Sequence, residues 1–428
     1  MTQLPASTLT PSERDWLAVR AFLTEHRYDL AVDAAQDHPP GRRVAGTPLL
    51  APPGWLPPAP IPLRDIGLEL SDAGPGEAGL EVPPALLPRR ADGTRYRSYS
   101  EAMGELAAPL VFENRATYRL TEADLASAVP RLAFTDGRYF DGIDTGEAAA
   151  HEYAAARLGG PAPGLRPAGL RGRFADPCDL RRRPANLAIS TLTLRLDRRA
   201  GRASFQLHWR DPARVGHAGG LYQVVPVGVF QPSGEAPWNR RHDFSLWRCL
   251  IREFAEELGG RSEDYASDRA PVDYDSWPFA RQLTGALGRG QVRVWCLGLG
   301  TDPLTYATDL LTVAVIDSDV FDAWFGVSPR RNAEGRVLAA REFAAQVIDR
   351  SVTSEPVQAA GAALLRLAWR HRETLGVPSL AGLDPDPPCD VDAAVHAPAS
   401  SRAREPVPRD RTIWHACPGD HGADKLTS

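Results

Sequence analysis

The sequence predicts an α/β protein in which a mixed β-sheet is packed between helices, with a helical and proline-rich extension at the N-terminus. Between about residues 186 and 372, runs of β-branched and apolar residues typical of strands alternate with segments whose apolar residues recur at helical spacing. Before them, prolines crowd into residues 39 to 88, where missing amide donors and fixed φ angles disfavour helices and central strands.

The N-terminal part divides into two predicted regions. Residues 1–35 carry one helix, from about residue 11, because Trp16, Leu23 and Leu30 lie on the same helical face. Residues 36–175 form a proline-rich, extended and helical region whose role the sequence does not indicate. Within it we expect Trp55 to dock the extended segment, and helical patterns cover residues 99–110 and 147–158.

Residues 176–376 form the predicted α/β domain. A helix should cover residues 244–258, with Asp243 or Ser245 as its N-cap, and another should cover 355–372. Strands are predicted at 187–196, 203–209, 221–225, 292–299 and 310–316, the first two joined as a hairpin near Gly201. Residues 377–428 are poor in aliphatic residues and rich in proline and small polar residues, so we expect a disordered tail.

Composition excludes several classes of protein. A hydrophobic content of 43% is enough for a sizeable core, and a net charge of −5 gives no basic field that would attract nucleic acid. The five cysteines form no CxxC pair, which disfavours a disulfide framework or a zinc site. The chain has no signal-like N-terminus and no apolar run of about 18 residues, so we expect a cytoplasmic protein without membrane contact.

The candidate chemistry lies on the helix that contains Arg252. Glu253, Glu256 and Glu257 stand at i, i+3 and i+4 of this helix, so their carboxylates are expected to converge. Like charges at this spacing repel one another, and a hard divalent cation would compensate them. The sequence therefore predicts a site for Mg²⁺ or Mn²⁺. Arg252 is expected to pair with Glu256 and to fix the orientation of that carboxylate.

These residues resemble the signature of the Nudix hydrolases, whose second half runs Arg-Glu-U-x-Glu-Glu-x-Gly-U, where U is a bulky aliphatic residue. Residues 252–259 follow this pattern, with Phe254 at the first U position, whereas Gly260 replaces the final aliphatic residue. Upstream, Pro226-Val227-Gly228 and Gly234-Glu235 are similar to the start of the signature, but residues 237–242 form an insertion. The resemblance implies a Nudix-like fold for the α/β domain.

The resemblance also implies roles for individual residues. Glu253, Glu256 and Glu257 would bind the metal, with Glu253 alternatively a proton acceptor and Arg252 orienting a ligand. Gly228, Arg240 and Arg241 would lie where the diphosphate of a substrate binds. A general base from outside the helix would come from Asp302, Asp309 or Glu334, of which Glu334 is favoured because it lies beside a glycine in a loop.

The sequence leaves three functions open. The leading hypothesis is a Mg²⁺-dependent hydrolase that cleaves a diphosphate linked to a nucleoside or related group. Because the loop departs from the family pattern, the alternative is a Nudix-like protein that senses a ligand or regulates transcription with little turnover, although no basic helix-turn-helix is visible. The third possibility is an interaction module whose proline-rich segment occupies the cleft.

Overall fold

The fold is mixed α/β, as predicted. The computed structural model describes residues 9–72, 81–159, 169–211, 219–262, 264–326, 330–331 and 335–377. These residues belong to one compact unit. The tail predicted at residues 377–428 lies outside the described residues, except for Val377.

The helices lie mainly at the N-terminus and around the larger sheet. They are α1 Pro11–Glu25, α2 Arg27–Gln36, α3 Tyr99–Leu106, α4 Tyr139–Gly142, α5 Ala148–Leu158, α6 Leu170–Phe174, α7 Asn239–His242, α8 Leu246–Glu253, α9 Pro278–Gly288, α10 Ser318–Phe325, α11 Ala345–Ser354 and α12 Ala359–Arg370. In the part of the chain that the structure describes, none of them is both long and apolar enough to cross a membrane.

The strands form three sheets within the described residues. They are β1 Ile61–Pro62, β2 Gly67–Leu70, β3 Ala116–Asp124, β4 Arg131–Arg138, β5 Leu187–Asp197, β6 Arg202–Phe205, β7 Leu207–Arg210, β8 Tyr222–Val224, β9 Val227–Val229, β10 Val292–Thr301, β11 Thr308–Asp317, β12 Arg330–Arg331, β13 Gly335–Val337 and β14 Arg341–Glu342.

The largest sheet has the order β1-β10-β11-β5-β6-β14, and β9 also pairs with β5. β5 and β11 are parallel, whereas β5 is antiparallel to both β6 and β9, so the sheet is mixed. The β5-β6 pairing confirms the predicted hairpin, but the second predicted strand, at 203–209, is divided between β6 and β7, which belong to different sheets. The other sheets have the orders β12-β13-β7-β8 and β2-β4-β3.

The central strands of the largest sheet are buried on both faces. Almost every residue of β5 and β11 is buried whichever way its side chain points, which requires a covering layer on each side. Helix α12 contacts β5, β10 and β11, and α10 contacts β5 and β11. A bidentate ion pair between Arg195 on β5 and Asp322 on α10, at 2.7 and 2.6 Å, fastens α10 to the sheet.

The N-terminal region shares the core of the α/β domain. β1 extends the largest sheet by pairing Ile61 with Cys296 of β10. Trp55, which is 4% exposed, belongs to the same hydrophobic cluster as β5 and β11, so the predicted docking of the proline-rich segment is confirmed. Tyr118 and Phe134, from β3 and β4, contact the ring of Phe230 beyond β9.

Two features of the N-terminal region differ from the sequence prediction. The first helix is interrupted at His26, whose φ of −109° and ψ of 17° separate α1 from α2. Strands β3 and β4 lie between the two predicted helical patterns, in residues for which the sequence analysis predicts no element. In β3, Tyr118 and Leu120 alternate with Thr117 and Arg119, but all four residues are buried, so the strand lies inside the protein on both faces.

The turn between β10 and β11 is enclosed by the N-terminal region. Residues 301–306 are all buried. The guanidinium of Arg171 donates hydrogen bonds to the carbonyls of Pro303 and Leu304, at 2.7 and 2.9 Å. Gly146 approaches so closely that a Cβ on it would lie 2.1 Å from the Thr305 carbonyl oxygen. The turn is therefore held by close backbone packing as well as by hydrogen bonds.

Candidate functional site

Residues 246–258 form the helix that carries Glu253, Glu256 and Glu257, called the carboxylate helix below, and it starts at one of the two predicted caps. The Ser245 hydroxyl caps α8 by accepting a hydrogen bond from the amide of Arg248, which decides between the two predicted caps. The predicted α-helix does not continue to residue 258, however, because residues Phe254–Leu258 form a π-helical turn. In that turn the Gly259 amide donates to the Phe254 carbonyl five residues earlier, at 2.9 Å. Such turns are rare and are frequent at functional sites.

The end of this helix explains one departure from the family signature. Gly260 has a φ of +68°, a backbone conformation that side chains with a Cβ rarely adopt. The Arg261 amide then folds back and donates to the Ala255 carbonyl at 2.9 Å. A glycine at this position closes the helix, as in a Schellman-type C-cap. The bulky aliphatic residue of the family pattern would not suit this backbone.

Gly228 lies directly beneath the carboxylate of Glu253. A Cβ on Gly228 would lie 1.9 to 2.2 Å from the three atoms of that carboxyl group, so this position tolerates only glycine while Glu253 stays in place. Gly228 is held in β9, opposite Ile189 of β5. The structure thus brings together two residues that the sequence analysis assigned to substrate and metal binding.

Glu257 lies against the same short stretch of β9. The Val227 amide donates a hydrogen bond to Glu257 Oε1 at 3.2 Å, and Glu257 Oε2 lies 3.8 Å from Nδ1 of His208 on β7. Glu257 and His208 are both buried, at 6% and 1% exposure. Since Val227 and Gly228 are adjacent, the carboxylates of Glu253 and Glu257 both contact one dipeptide of an edge strand.

Glu256 has a different partner from the expected one. The Tyr265 hydroxyl donates to Glu256 Oε1 at 2.5 Å. Burial raises the pKa of Tyr265 well above its ordinary value, and the neighbouring Glu256 charge raises it further, so the hydroxyl remains a donor. Tyr265 lies nine residues after Glu256 in a loop, and no sequence pattern indicates this contact.

The predicted pairing of Arg252 with Glu256 is wrong. The Arg252 guanidinium is buried, donates to the Tyr274 hydroxyl and the Gln231 carbonyl at 2.6 Å each, and lies 3.4 Å from Asp243. The side chain points into the core side of the helix, whereas Glu256 lies beyond the start of the π-helical turn. Burial lowers the pKa of Arg252, but Cys249, Tyr274 and Asp243 raise it by more, so the guanidinium stays charged.

The two arginines of the insertion bind acidic residues of the N-terminal region. Arg240 Nε donates to Asp136 at 2.7 Å and its Nη1 to Asp72 at 2.9 Å, while Arg241 donates to Asp72 at 2.7 Å. Glu235, from the Gly-Glu of the signature, accepts from Arg138 at 2.7 Å. In this conformation, these groups attach the insertion to the β2-β4-β3 sheet.

The candidates for a general base have separate positions. Glu334, the favoured candidate, lies outside the described residues. Asp302 accepts hydrogen bonds from the amides of Leu304 and Thr305, at 2.9 and 2.8 Å, and so shapes the β10-β11 turn. Asp309 is 1% exposed within the largest sheet and accepts from the Ser190 hydroxyl at 2.8 Å.

The described residues contain no group of three or more His, Cys, Asp or Glu side chains placed to hold a metal ion. Mg²⁺ commonly takes only one or two protein carboxylates and completes its shell with water and substrate phosphate oxygens. Glu253 and Glu257 could supply two carboxylates, because both contact the Val227-Gly228 stretch, and hard oxygen ligands of this kind suit a divalent cation.

The resemblance to Nudix hydrolases rests on the residues of the helix and of β9 themselves. Comparisons with known proteins do not extend it, since no protein-family model and no curated protein matches this chain.

Proposed function

We propose that the α/β domain is a Nudix-type hydrolase that uses Mg²⁺ or Mn²⁺ to cleave a diphosphate linked to a nucleoside or related group. One observation carries the proposal: the carboxylates of Glu253 and Glu257 both contact the Val227-Gly228 dipeptide. Carboxylate oxygens brought to one stretch of backbone are ligands that a hard divalent cation prefers.

Each residue of the proposed site has its own role in this proposal. Glu253 and Glu257 would hold the cation, which when bound lowers the pKa of attacking water and neutralises charge on the diphosphate. Glu256 is oriented by the Tyr265 hydroxyl. The Val227 amide fixes Glu257 Oε1, which restricts the direction of that carboxylate. Glu334 stays a predicted general base.

The ion pairs made by the two arginines of the insertion favour a second function. Arg240 and Arg241 already bind Asp72 and Asp136, so in this arrangement their charges are neutralised within the chain. A site with less positive charge available would stabilise the transition state of phosphoryl transfer less well. A protein that binds a nucleotide as a signal, without efficient turnover, is the alternative that this observation supports.

The test combines metal titration with a substrate screen. Metal-free protein should gain thermal stability on addition of Mn²⁺, and Glu253→Gln with Glu257→Gln should remove this gain. The matched control is Glu69→Gln with Glu122→Gln, which changes the charge equally at exposed carboxylates that flank Arg131. A wild-type protein without any metal-dependent stabilisation would contradict both functions.

A library of nucleotide diphosphates with Mg²⁺ then separates the two functions. A hydrolase releases phosphate or a monophosphate, and the release stops in the double variant. A sensor is stabilised by a nucleotide that is recovered intact.

A further inference from the structure

We infer that Asp243 and Tyr274 position the carboxylate helix by holding Arg252, and that they thereby tune cation binding by Glu253 and Glu257. Both residues lie outside the helix motif, Asp243 just after the insertion and Tyr274 in the loop before α9. The inference rests on the proposed function and adds two positioning residues to it.

The Asp243 carboxylate is completely buried, and both of its oxygens accept hydrogen bonds. Its Oδ2 accepts from the amide and the hydroxyl of Ser233, at 2.8 and 2.6 Å. Its Oδ1 accepts from the Tyr274 hydroxyl at 2.9 Å and lies 3.4 Å from Arg252 Nη1. A carboxylate in such surroundings needs a cation for neutralisation, and Arg252 supplies it.

Tyr274 connects the two charges through one hydroxyl. The group has a single proton, which it donates to Asp243, and its oxygen accepts from Arg252 Nη1 at 2.6 Å. The ring of Tyr274 lies against that of His242, with centroids 5.7 Å apart, so packing restricts its movement. Arg252, Tyr274 and Asp243 therefore form a polarised chain with one consistent direction of donation.

Arg252 also links the helix to β9, because its second terminal nitrogen binds the chain that continues from that strand. Nη2 donates to the carbonyl of Gln231, two residues after Val229. β9 is the strand that carries Val227 and Gly228, the residues in contact with Glu257 and Glu253. The chain from Asp243 to Gln231 thus sets the distance between the helix and the strand on which both carboxylates rest.

The effect on the cation follows from this geometry. Glu253 lies against the backbone of Gly228 and Glu257 accepts from the Val227 amide, so a small outward shift of the helix would move both carboxylates away from the strand that orients them. Groups that orient metal ligands commonly change metal affinity by about 10- to 100-fold when they are removed. Loss of the Asp243 charge or of the Tyr274 hydroxyl should weaken Mn²⁺ binding in this range.

The experiment measures Mn²⁺ affinity by titration of the full-length chain, with Asp243→Asn and Tyr274→Phe compared with wild type. Unfolding is followed separately without metal, and titrations are made where every variant is fully folded. Matched controls come from a second buried cluster. Asp144→Asn changes a carboxylate that also accepts from the amide and hydroxyl of one serine, and Tyr99→Phe removes a hydroxyl that also accepts from an arginine.

We expect both test variants to bind Mn²⁺ about tenfold or more weakly, and both controls to bind it like wild type while losing thermal stability. Wild-type affinity in folded Asp243→Asn and Tyr274→Phe would overturn the inference and leave the proposed function intact. Equal weakening in the controls would also overturn it, since the effect would then be one of general stability. A wild-type chain that binds no Mn²⁺ would refute the proposed function and this inference together.

Discussion

Gly228 and Arg252 shape the candidate site at the scale of single residues, the first by lacking a side chain and the second by the contacts of a long one. Gly228 admits the Glu253 carboxylate onto the strand, and Arg252 ties the helix to the residues after that strand. Substitutions at these two positions should separate steric effects on the site from effects of charge.

Gly228→Ala should disrupt the site. The added methyl group would overlap the Glu253 carboxylate, and because this is the end of a flexible side chain, the carboxylate should move away at little cost in unfolding free energy. Mn²⁺-dependent stabilisation should fall, since Glu253 leaves its place against β9. Gly54→Ala is the control, since a Cβ there meets nothing within 4 Å, and its effect should stay within about 0.5 kcal/mol. Wild-type metal response in Gly228→Ala would contradict the assigned contact.

Arg252→Lys should be costly although it preserves the charge. An ammonium group lacks the planar fork that reaches both Tyr274 and Gln231, and a buried acceptor left unsatisfied costs about 1–3 kcal/mol. Urea unfolding measures the loss. Arg195→Lys, in a partly exposed pair with Asp322, should cost less than about 1 kcal/mol. Equal losses of unfolding free energy in the two variants would show that the burial of Arg252 does not increase the cost of replacing it.

His151 predicts a pH dependence of stability. Burial, and secondly the charge of Arg20, lowers the pKa of His151 to about 3 in the folded chain. The unfolded chain takes up this proton below about pH 6.5, so stability is lost as the pH falls from there towards 3. Between pH 7 and pH 5, His151→Gln should lose about 2 kcal/mol less than wild type. Parallel pH profiles of unfolding would contradict this origin.

The sequence predicted the charged members of the site better than the residues that hold them. Glu253, Glu256 and Glu257 stand out because a helix places them together. Tyr265 and His208, which contact Glu256 and Glu257, and Tyr274, which contacts Arg252, come from loops and from another sheet, and no local periodicity marks them. Helical spacing predicts that Arg252 pairs with Glu256 at i+4, because spacing alone does not show that the Arg252 side chain is buried.

Among the elements, the carboxylate helix is only partly predictable from the local sequence. Its cap, its apolar face and its last residues follow from helical spacing and capping preferences. The π-helical turn over Phe254–Leu258 does not, because both helix types use the same residue preferences and the surrounding packing selects between them. Packing also decides whether a short apolar run such as β9 joins a sheet edge.

Gly260 gives a prediction at this scale. Gly260→Ala should destabilise the protein by about 1–2 kcal/mol, because alanine is strained at a φ of +68°, while nothing lies within 4 Å of the added carbon. Gly260→Asn should cost less, since asparagine tolerates this conformation better. Thermal unfolding of the two variants measures the difference. Equal stability of Gly260→Ala and wild type would mean that the helix end rearranges freely.

The whole molecule depends on contacts between segments far apart in the sequence. The domain prediction placed residues 36–175 and 176–376 in separate regions. The described parts of both contribute to one hydrophobic cluster, to which Trp55, Tyr118 and Phe134 belong together with β5, β10 and β11. Sequence patterns that identify single elements do not show which elements share a core.

A fragment of residues 176–377 should therefore not fold cooperatively. It would lose β1 from the edge of β10 and would expose the surfaces of Phe230 and Phe244 that Tyr118 and Phe134 cover. Circular dichroism during urea unfolding should show a broad transition with a low midpoint, compared with residues 9–377. A sharp transition at the midpoint of the longer chain would contradict this dependence.

The enclosure of the β10-β11 turn has a consequence for chain dynamics. Hairpin turns are ordinarily places where amide hydrogens exchange quickly, proteases cut and insertions are accepted. Here residues 301–306 are buried, and Arg171 and Gly146 close over the carbonyls of Pro303, Leu304 and Thr305. Amide exchange at Leu304 to Tyr306 should accordingly require the N-terminal region to detach, which makes this turn a reporter of that opening. The same packing leaves no room for a longer turn, so its length should be among the least variable features of the chain.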